Sequence, residues 1–184
     1  MRFSKLSLWV FVLLAFAVQA HALSITPSLG TLNTTRWEGD QTSNAQVLTA
    51  ISGIIGSSTE LYKSNVGGPE EKALVGSYET TFSNTPTDPS AALIDHFSGN
   101  SVGPTAYLLV KDGNHSPAWY LFNLTAFSWN GTDDLDLSGF WPNQGAISHV
   151  SLFGSNVPVP EPATMLLLGA GLIGLSGYGR KRFK

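Results

Sequence analysis

Two uncharged apolar segments, one near each end of the chain, limit what this sequence can fold into. The first follows the cations Arg2 and Lys5 and precedes the small residues Ala20 and Ala22. Early cations, a short apolar core and a small-x-small site are typical of a secretory signal peptide. A membrane-spanning helix needs roughly 20 apolar residues, so an uncleaved anchor is the weaker alternative for this shorter run. We therefore predict a signal peptide over residues 1–22, with cleavage after Ala22.

The second apolar segment, residues 162–179, contains 18 residues and no charge. As a helix it would be about 27 Å long, which is close to the thickness of the hydrocarbon core of a bilayer. The basic end at 180–184 includes Arg180, Lys181 and Arg182, and the positive-inside bias keeps such cations in the cytoplasm. The sequence therefore predicts a transmembrane helix over 162–179, with the preceding chain on the outer side of the membrane.

The sorting tail, residues 157–184, resembles the PEP-CTERM sorting signal of Gram-negative bacteria. The resemblance rests on Pro160, Glu161 and Pro162, on the glycine-rich apolar segment that follows them, and on the arginine and lysine residues at the end. It implies processing by an exosortase, a membrane transpeptidase, in organisms that make exopolysaccharide. It also implies that the inner membrane is a transient anchor and that the mature protein reaches the cell envelope or the extracellular matrix.

The remaining body, residues 23–156, has the length of one ordinary domain. The whole sequence contains no cysteine, so the fold cannot depend on disulfide bonds. The body has four Lys and Arg residues against twelve Asp and Glu residues, which gives a net charge of −8. Because nucleic-acid binding depends on basic surfaces, we exclude DNA and RNA as partners.

One helix is predicted in the body. Apolar residues recur at helical spacing over residues 44–55, which indicates one apolar face. Ser43 and Gln46 form the pattern of an N-terminal capping box, and Gly56 provides a stop signal. We expect this amphipathic helix to pack against a sheet.

The rest of the body favours strands. Short runs rich in aromatic and aliphatic residues alternate with clusters of Gly, Pro, Asn and Asp, which is typical of all-β folds. We predict a mainly β protein, a single antiparallel β-sandwich of jelly-roll-like type with one helix. The predicted strands lie at 61–63, 77–82, 92–97, 105–111, 118–128, 133–140 and 146–153.

The best local turn signal is the Asn130-Gly131 pair, because both residues accept the positive φ of a type I′ hairpin. The sequence therefore predicts a tight hairpin at this point. It also predicts that residues 105–153 form a four-stranded antiparallel meander, with the strand 118–128 in a central position because it is apolar on both faces.

Aromatic residues offer one candidate binding surface. Trp119, Trp129 and Trp141, together with Tyr107 and Tyr120, have the ring faces needed to stack on sugars. In a small β domain such residues more often belong to the core, so both interpretations stay open. The tryptophan beside the predicted hairpin is the one we expect to be exposed.

Three aspartates, Asp133, Asp134 and Asp136, offer a candidate calcium site, because Ca²⁺ prefers several oxygen ligands. The D-x-D-x-D-G loop with its distant glutamate is missing. Solvated acids are therefore the favoured interpretation, with calcium as the weaker alternative.

Little in the sequence points to catalysis. His96, His115 and His149 are scattered, without the spacing of a zinc site. Glu70 and Glu71 are adjacent in a predicted exposed loop, so their side chains would point apart. We therefore predict a non-enzymatic protein without a cofactor.

Together these features favour an exported protein with a structural or interaction role linked to exopolysaccharide or biofilm. The alternative is a carbohydrate-binding module that holds extracellular polysaccharide through exposed aromatic side chains, with or without calcium. The exposure of the three tryptophans distinguishes the two hypotheses.

Overall fold

A computed structural model describes residues 21–83, 89–112, 115–142 and 146–159. Most of the predicted signal peptide, and the predicted transmembrane helix at 162–179, lie outside these residues. Among the residues that the structure describes, no helix combines the length and the apolar character needed to cross a bilayer.

The described chain is mainly β, as predicted, and contains one α-helix, α1. A short 3₁₀ helix follows the eighth strand at Leu124–Phe127. In chain order the elements are β1 (Ala22–Ile25), β2 (Arg36–Gly39), α1 (Asn44–Ile55), β3 (Thr59–Asn65), β4 (Glu70–Glu71), β5 (Tyr78–Ser83), β6 (Ala91–His96), β7 (Ser101–Lys111), β8 (Trp119–Asn123), β9 (Asp134–Leu137) and β10 (His149–Val157).

The strands form two sheets. The small sheet has the order β1-β9-β6-β5, and the large sheet has the order β2-β8-β7-β10-β3-β4. Neighbouring strands are antiparallel except for β1 and β9, which are parallel and pair Ile25 with Leu137. Strand β10 lies between β7 and β3, so it occupies a central position in the large sheet.

Apolar side chains of both sheets share one core. Ile25 and Leu135 of the small sheet belong to the same cluster as Leu108, Phe122 and Val150 of the large sheet, and all five are fully buried. Because successive strand residues point to opposite faces, the same strands of the large sheet present a second face away from this core.

The helix predicted from periodicity is confirmed at Asn44–Ile55. The Ser43 hydroxyl oxygen accepts a hydrogen bond from the Gln46 N–H at 3.3 Å, which caps the first turn. Gly56 ends the helix with a φ of +58°, a value that favours glycine.

The helix packs on the second face of the large sheet. Val47 and Ile51 are buried there against Tyr107, Trp119 and Phe153. The predicted packing of an amphipathic helix against a sheet is therefore confirmed, and the large sheet is covered on both faces.

The hairpin predicted at Asn130-Gly131 is wrong. Strand β8 ends at Asn123, the 3₁₀ helix follows it, and β9 joins the other sheet. The predicted meander is therefore also wrong, because β7 lies between β8 and β10 and β9 takes no part in that sheet.

Asn130 and Gly131 belong to an Asx turn instead of a hairpin turn. The Asn130 Oδ1 accepts hydrogen bonds from the N–H groups of Thr132 and Asp133, both at 2.8 Å, and so forms an Asx turn. Gly131 has a φ of +89°, and a Cβ at this position would lie 2.5 Å from the Val102 carbonyl oxygen. The glycine therefore permits a close crossing between the sheets.

Candidate functional site

The sorting tail leaves the body from a central strand. Val157 is the last residue of β10 and pairs with Ser101 of β7. Earlier in the strand, residues 149–154 of β10 also pair with β3 on the other side, whereas residues 155–157 pair with β7 alone. The tail is thus attached to a strand that lies centrally in the large sheet but is paired on one side at its end.

The three tryptophans do not form an exposed platform. Trp119 is 4% exposed, Trp129 is 8% exposed and Trp141 is half-buried. Their indole N–H groups donate to the Gln41 side chain at 2.8 Å, the Asp133 carbonyl at 2.7 Å and the Pro117 carbonyl at 2.8 Å respectively. Each ring is therefore held by the fold, and the prediction that Trp129 is exposed is wrong.

The two most buried tryptophans are covered by different parts of the fold. Trp129 belongs to the core shared by both sheets, whereas Trp119 belongs to the cluster under α1. Tyr107 and Tyr120 are buried as well, each 8% exposed. The most exposed large aromatic side chain in the described chain is instead Phe97, at 60%, which no sequence pattern marked as a candidate.

Phe97 lines a shallow cavity of about 430 Å³ beside β5 and β4. Glu70 and Glu79 line the same cavity, but Glu70 has structural partners. Its carboxylate accepts hydrogen bonds from the Tyr62 hydroxyl and from the Thr80 N–H, the latter at 2.8 Å. Burial and the hydrogen bond to Glu70 raise the pKa of Tyr62, so this hydroxyl stays protonated.

The predicted loop at Glu70-Glu71 is wrong in one respect. The two residues form β4, which pairs with Ser64 and Lys63 at the edge of the large sheet. The side chains of Glu70 and Glu71 therefore point to opposite faces of the sheet. They do not form a carboxylate pair around one substrate position.

The candidate calcium ligands are not brought together as a set. Asp134 and Asp136 lie on β9, while Asp133 precedes the strand and accepts a hydrogen bond from the Asn130 side chain at 3.0 Å. No group of three or more His, Asp or Glu side chains that could hold a metal ion exists within the described ranges. The three aspartates therefore act as separate acids in this structure.

The histidines occupy three separate environments. His96 makes an edge contact with the Tyr78 ring at 5.0 Å, and the His115 Nδ1 lies 2.6 Å from the Asp112 carboxylate. His149 is 7% exposed on β10. The three histidines therefore do not share one site in the part of the chain that the structure describes.

His149 belongs to a cluster that was not predicted from the sequence. A cavity of about 210 Å³, here called the basic cavity, lies on the face of the large sheet that carries α1. Strand pairing places His149 opposite Lys111, and Ser151 opposite Lys63. The basic cavity is lined by Asn44, Val47, Leu48, Glu60, Lys63, Lys72, Leu109, Lys111 and His149.

The charges in the basic cavity act on one another. Burial, and then the positive charges of Lys63 and Lys111, lower the pKa of His149 to about 3, so its imidazole is neutral. Burial also lowers the pKa of Lys111, which is 4% exposed. Lys72 forms an ion pair with Glu60 at 2.9 Å. Three lysines and one carboxylate therefore line the cavity.

A family model identifies the end of the chain. Residues 158–182 match the PEP-CTERM protein-sorting motif, and the match begins directly after β10 ends at Val157. No curated protein and no solved structure matches the chain significantly. The residues predicted to carry the signal, Pro160, Glu161, Pro162, Arg180, Lys181 and Arg182, all lie inside the matched segment.

A mainly β body followed by this motif defines the class of exported proteins that are processed at the membrane. The chain is a PEP-CTERM sorting domain-containing protein, and the enzyme that processes it is an exosortase. The resemblance stated from the sequence is thereby confirmed.

Proposed function

We propose that this protein is a structural or interaction component of the cell envelope or the extracellular matrix, linked to exopolysaccharide or biofilm. The observation that carries the proposal is the position of the sorting motif, which starts at residue 158 just after the last strand of the body. A β body with a processing signal at its end suits a protein that is released after sorting. The inner membrane serves as the transient anchor through residues 162–179.

We also propose that the body, residues 23–156, is a single β-sandwich. The shared core of the two sheets supports face-to-face packing. The jelly-roll-like connectivity and the signal peptide over residues 1–22 stay predictions.

A non-enzymatic role fits the body best. The carboxylate of Glu70 is engaged by Tyr62 and Thr80, and the histidines at 96, 115 and 149 lie in different environments. A hydrolase would instead need a nucleophile and a base within hydrogen-bond reach in one cleft.

The carbohydrate-binding alternative has less support in its original form. It requires exposed aromatic rings, but Trp119 and Trp129 are buried and hydrogen-bonded. Phe97 is exposed and lines a cavity together with Tyr78, Phe82 and the acids Glu70 and Glu79. The interaction role therefore does not rest on the tryptophans.

The test is removal of the motif from the full chain in a bacterium that has an exosortase. Deletion of residues 160–184 spares β10 and should abolish processing, so that the membrane-bound precursor is never formed. The matched control is deletion of residues 180–184 alone, which should stop the processing of a precursor that still reaches the membrane. Intact-mass measurement and cell fractionation distinguish the processed protein, the unprocessed precursor in the membrane and the deletion product that forms no membrane-bound precursor. Unchanged location and maturation in the first deletion would contradict the proposal.

A further inference from the structure

The cations of the body converge on one place. The body has four Lys and Arg residues in a chain segment of net charge −8, and three of them, Lys63, Lys72 and Lys111, line the basic cavity. They come from β3, from the residue after β4 and from β7. In an acidic protein such convergence concentrates positive potential where the rest of the surface is negative.

Lys63 has no ion pair within the described residues. The Lys111 Nζ donates to the main-chain carbonyl oxygen of Asp112 at 2.9 Å. Burial lowers the pKa of Lys111, and the charge of Asp112 opposes this effect only in part. Bringing two ammonium groups together in a partly buried cavity costs free energy unless an anion compensates them.

The other groups facing the cavity do not supply that anion. Glu60 is already bound by Lys72 at 2.9 Å and accepts a hydrogen bond from the Ser151 hydroxyl at 2.8 Å. Helix α1 contributes the uncharged side chains of Asn44, Val47 and Leu48. The lining also includes His149, whose ring is neutral.

The lining also has an apolar side. Val47 and Leu48 of α1 and Leu109 of β7 stand beside the lysines. A volume of about 210 Å³ is below the roughly 300–1,000 Å³ of pockets for drug-sized ligands. A ligand that fits this lining would therefore be small and would have a carbon skeleton in addition to its charged group.

We propose that the basic cavity binds a small organic oxyanion, with its charged group between Lys63 and Lys111 and its carbon skeleton against Val47, Leu48 and Leu109. This rests on the interaction role proposed above and gives it a ligand class. Binding does not require processing by an exosortase, so this inference and the sorting proposal can fail independently.

The test is isothermal titration calorimetry on the full chain in a non-ionic detergent. Glucuronate and glucose 6-phosphate are the organic anions, glucose is the neutral control, and inorganic phosphate and sulfate are the bare anions. We expect saturable binding of at least one organic anion and none of glucose. Equal binding of the bare anions would overturn the organic part of the proposal, and no binding of any anion would overturn all of it.

Lys63→Gln is the decisive variant, because this lysine is only half-buried and unpaired within the described chain. It should weaken binding of the organic anion at least about tenfold, as expected when a charged hydrogen bond is lost. Arg36→Gln removes the same charge outside the cavity and should change affinity less than about twofold. Equal losses in both variants would show that only the net charge matters, which contradicts the proposal.

A second readout needs no variant. A bound anion opposes Lys63 and Lys111, so it should raise the pKa of His149 above its value of about 3 in the free protein. The charged groups that line the cavity with this ring are Glu60 and Lys63 of β3, Lys72 after β4 and Lys111 of β7, and Lys63 and Lys111 act on its charge. NMR titration of the His149 ring with and without glucuronate or glucose 6-phosphate measures the change. An unchanged pKa under saturating anion would place the ligand elsewhere and overturn the assignment.

Discussion

His149 shows how the fold fixes the charge state of one side chain. Its ring is 7% exposed, and Lys111 lies directly opposite it in the β7–β10 pair. Removal from water disfavours the imidazolium, and two nearby ammonium groups disfavour it further. The ring is therefore neutral at pH 7.

This burial links stability to pH. The pKa of His149 falls from 6.5 in the unfolded chain to about 3 in the folded protein, so the unfolded state binds the extra proton between these values. The stabilisation is present above about pH 6.5 and is lost as the pH falls towards 3, by up to ~1 kcal/mol per pH unit. We predict that His149→Gln loses less stability than the wild type between pH 7 and pH 4, measured by urea unfolding.

His96→Gln is the matched control for this prediction, because it removes an imidazole that lies outside the basic cavity. It should leave the acid sensitivity of the wild type unchanged. Identical pH dependence in the His149→Gln variant and the wild type would contradict the burial of a neutral ring.

At the scale of elements, the connection from β8 to β9 decides how the two sheets are joined. It leaves the large sheet through the 3₁₀ helix at Leu124–Phe127 and enters the small sheet at Asp134. Gly131 lies in this connection, and a Cβ atom there would be 2.5 Å from the Val102 carbonyl oxygen. The crossing depends on a residue without a Cβ atom.

We predict that Gly131→Ala destabilises the protein by about 2–4 kcal/mol, because it combines a strained φ with a backbone clash. Gly139→Ala is the control, since Gly139 has a φ of +74° but no atom within 4 Å of the place that an alanine methyl group would take. Gly139→Ala should destabilise the protein only through the strained φ, by about 1–2 kcal/mol. Urea unfolding measures both, and equal losses would show that the contact with Val102 carries no energy.

At the scale of the molecule, the two sheets share one core and should unfold together. Ile25 of β1 is fully buried against this core, although β1 is an edge strand of the small sheet. Trp119 lies on the opposite side of the large sheet, in the cluster under α1. A change at one of these positions should therefore be detected at the other.

We predict that Ile25→Ala costs about 2–5 kcal/mol through the lost burial and the cavity that remains. Tryptophan fluorescence and far-UV circular dichroism should show the same single transition, shifted to lower urea. Leu32→Ala is the control, because Leu32 is 42% exposed and should change stability by less than about 0.5 kcal/mol. Two separate transitions would show that the sheets fold as independent units.

The sequence by itself determined the features that depend on neighbouring residues. Periodicity with the Ser43 cap predicted the helix at Asn44–Ile55, and alternating apolar runs predicted most strands of the body. The sorting motif at 158–182 was also readable, because its proline, apolar and basic parts are contiguous. Local propensity and linear spacing carry all of this information.

Only the tertiary structure decided which strands pair and which side chains meet. The short strands β1 and β2 form because partners distant in sequence complete their hydrogen bonds. The same long-range pairing buries the tryptophans and gathers Lys63, Lys111 and His149 around one cavity. Strand partners are chosen by the packing of the whole core, which single-sequence patterns do not encode.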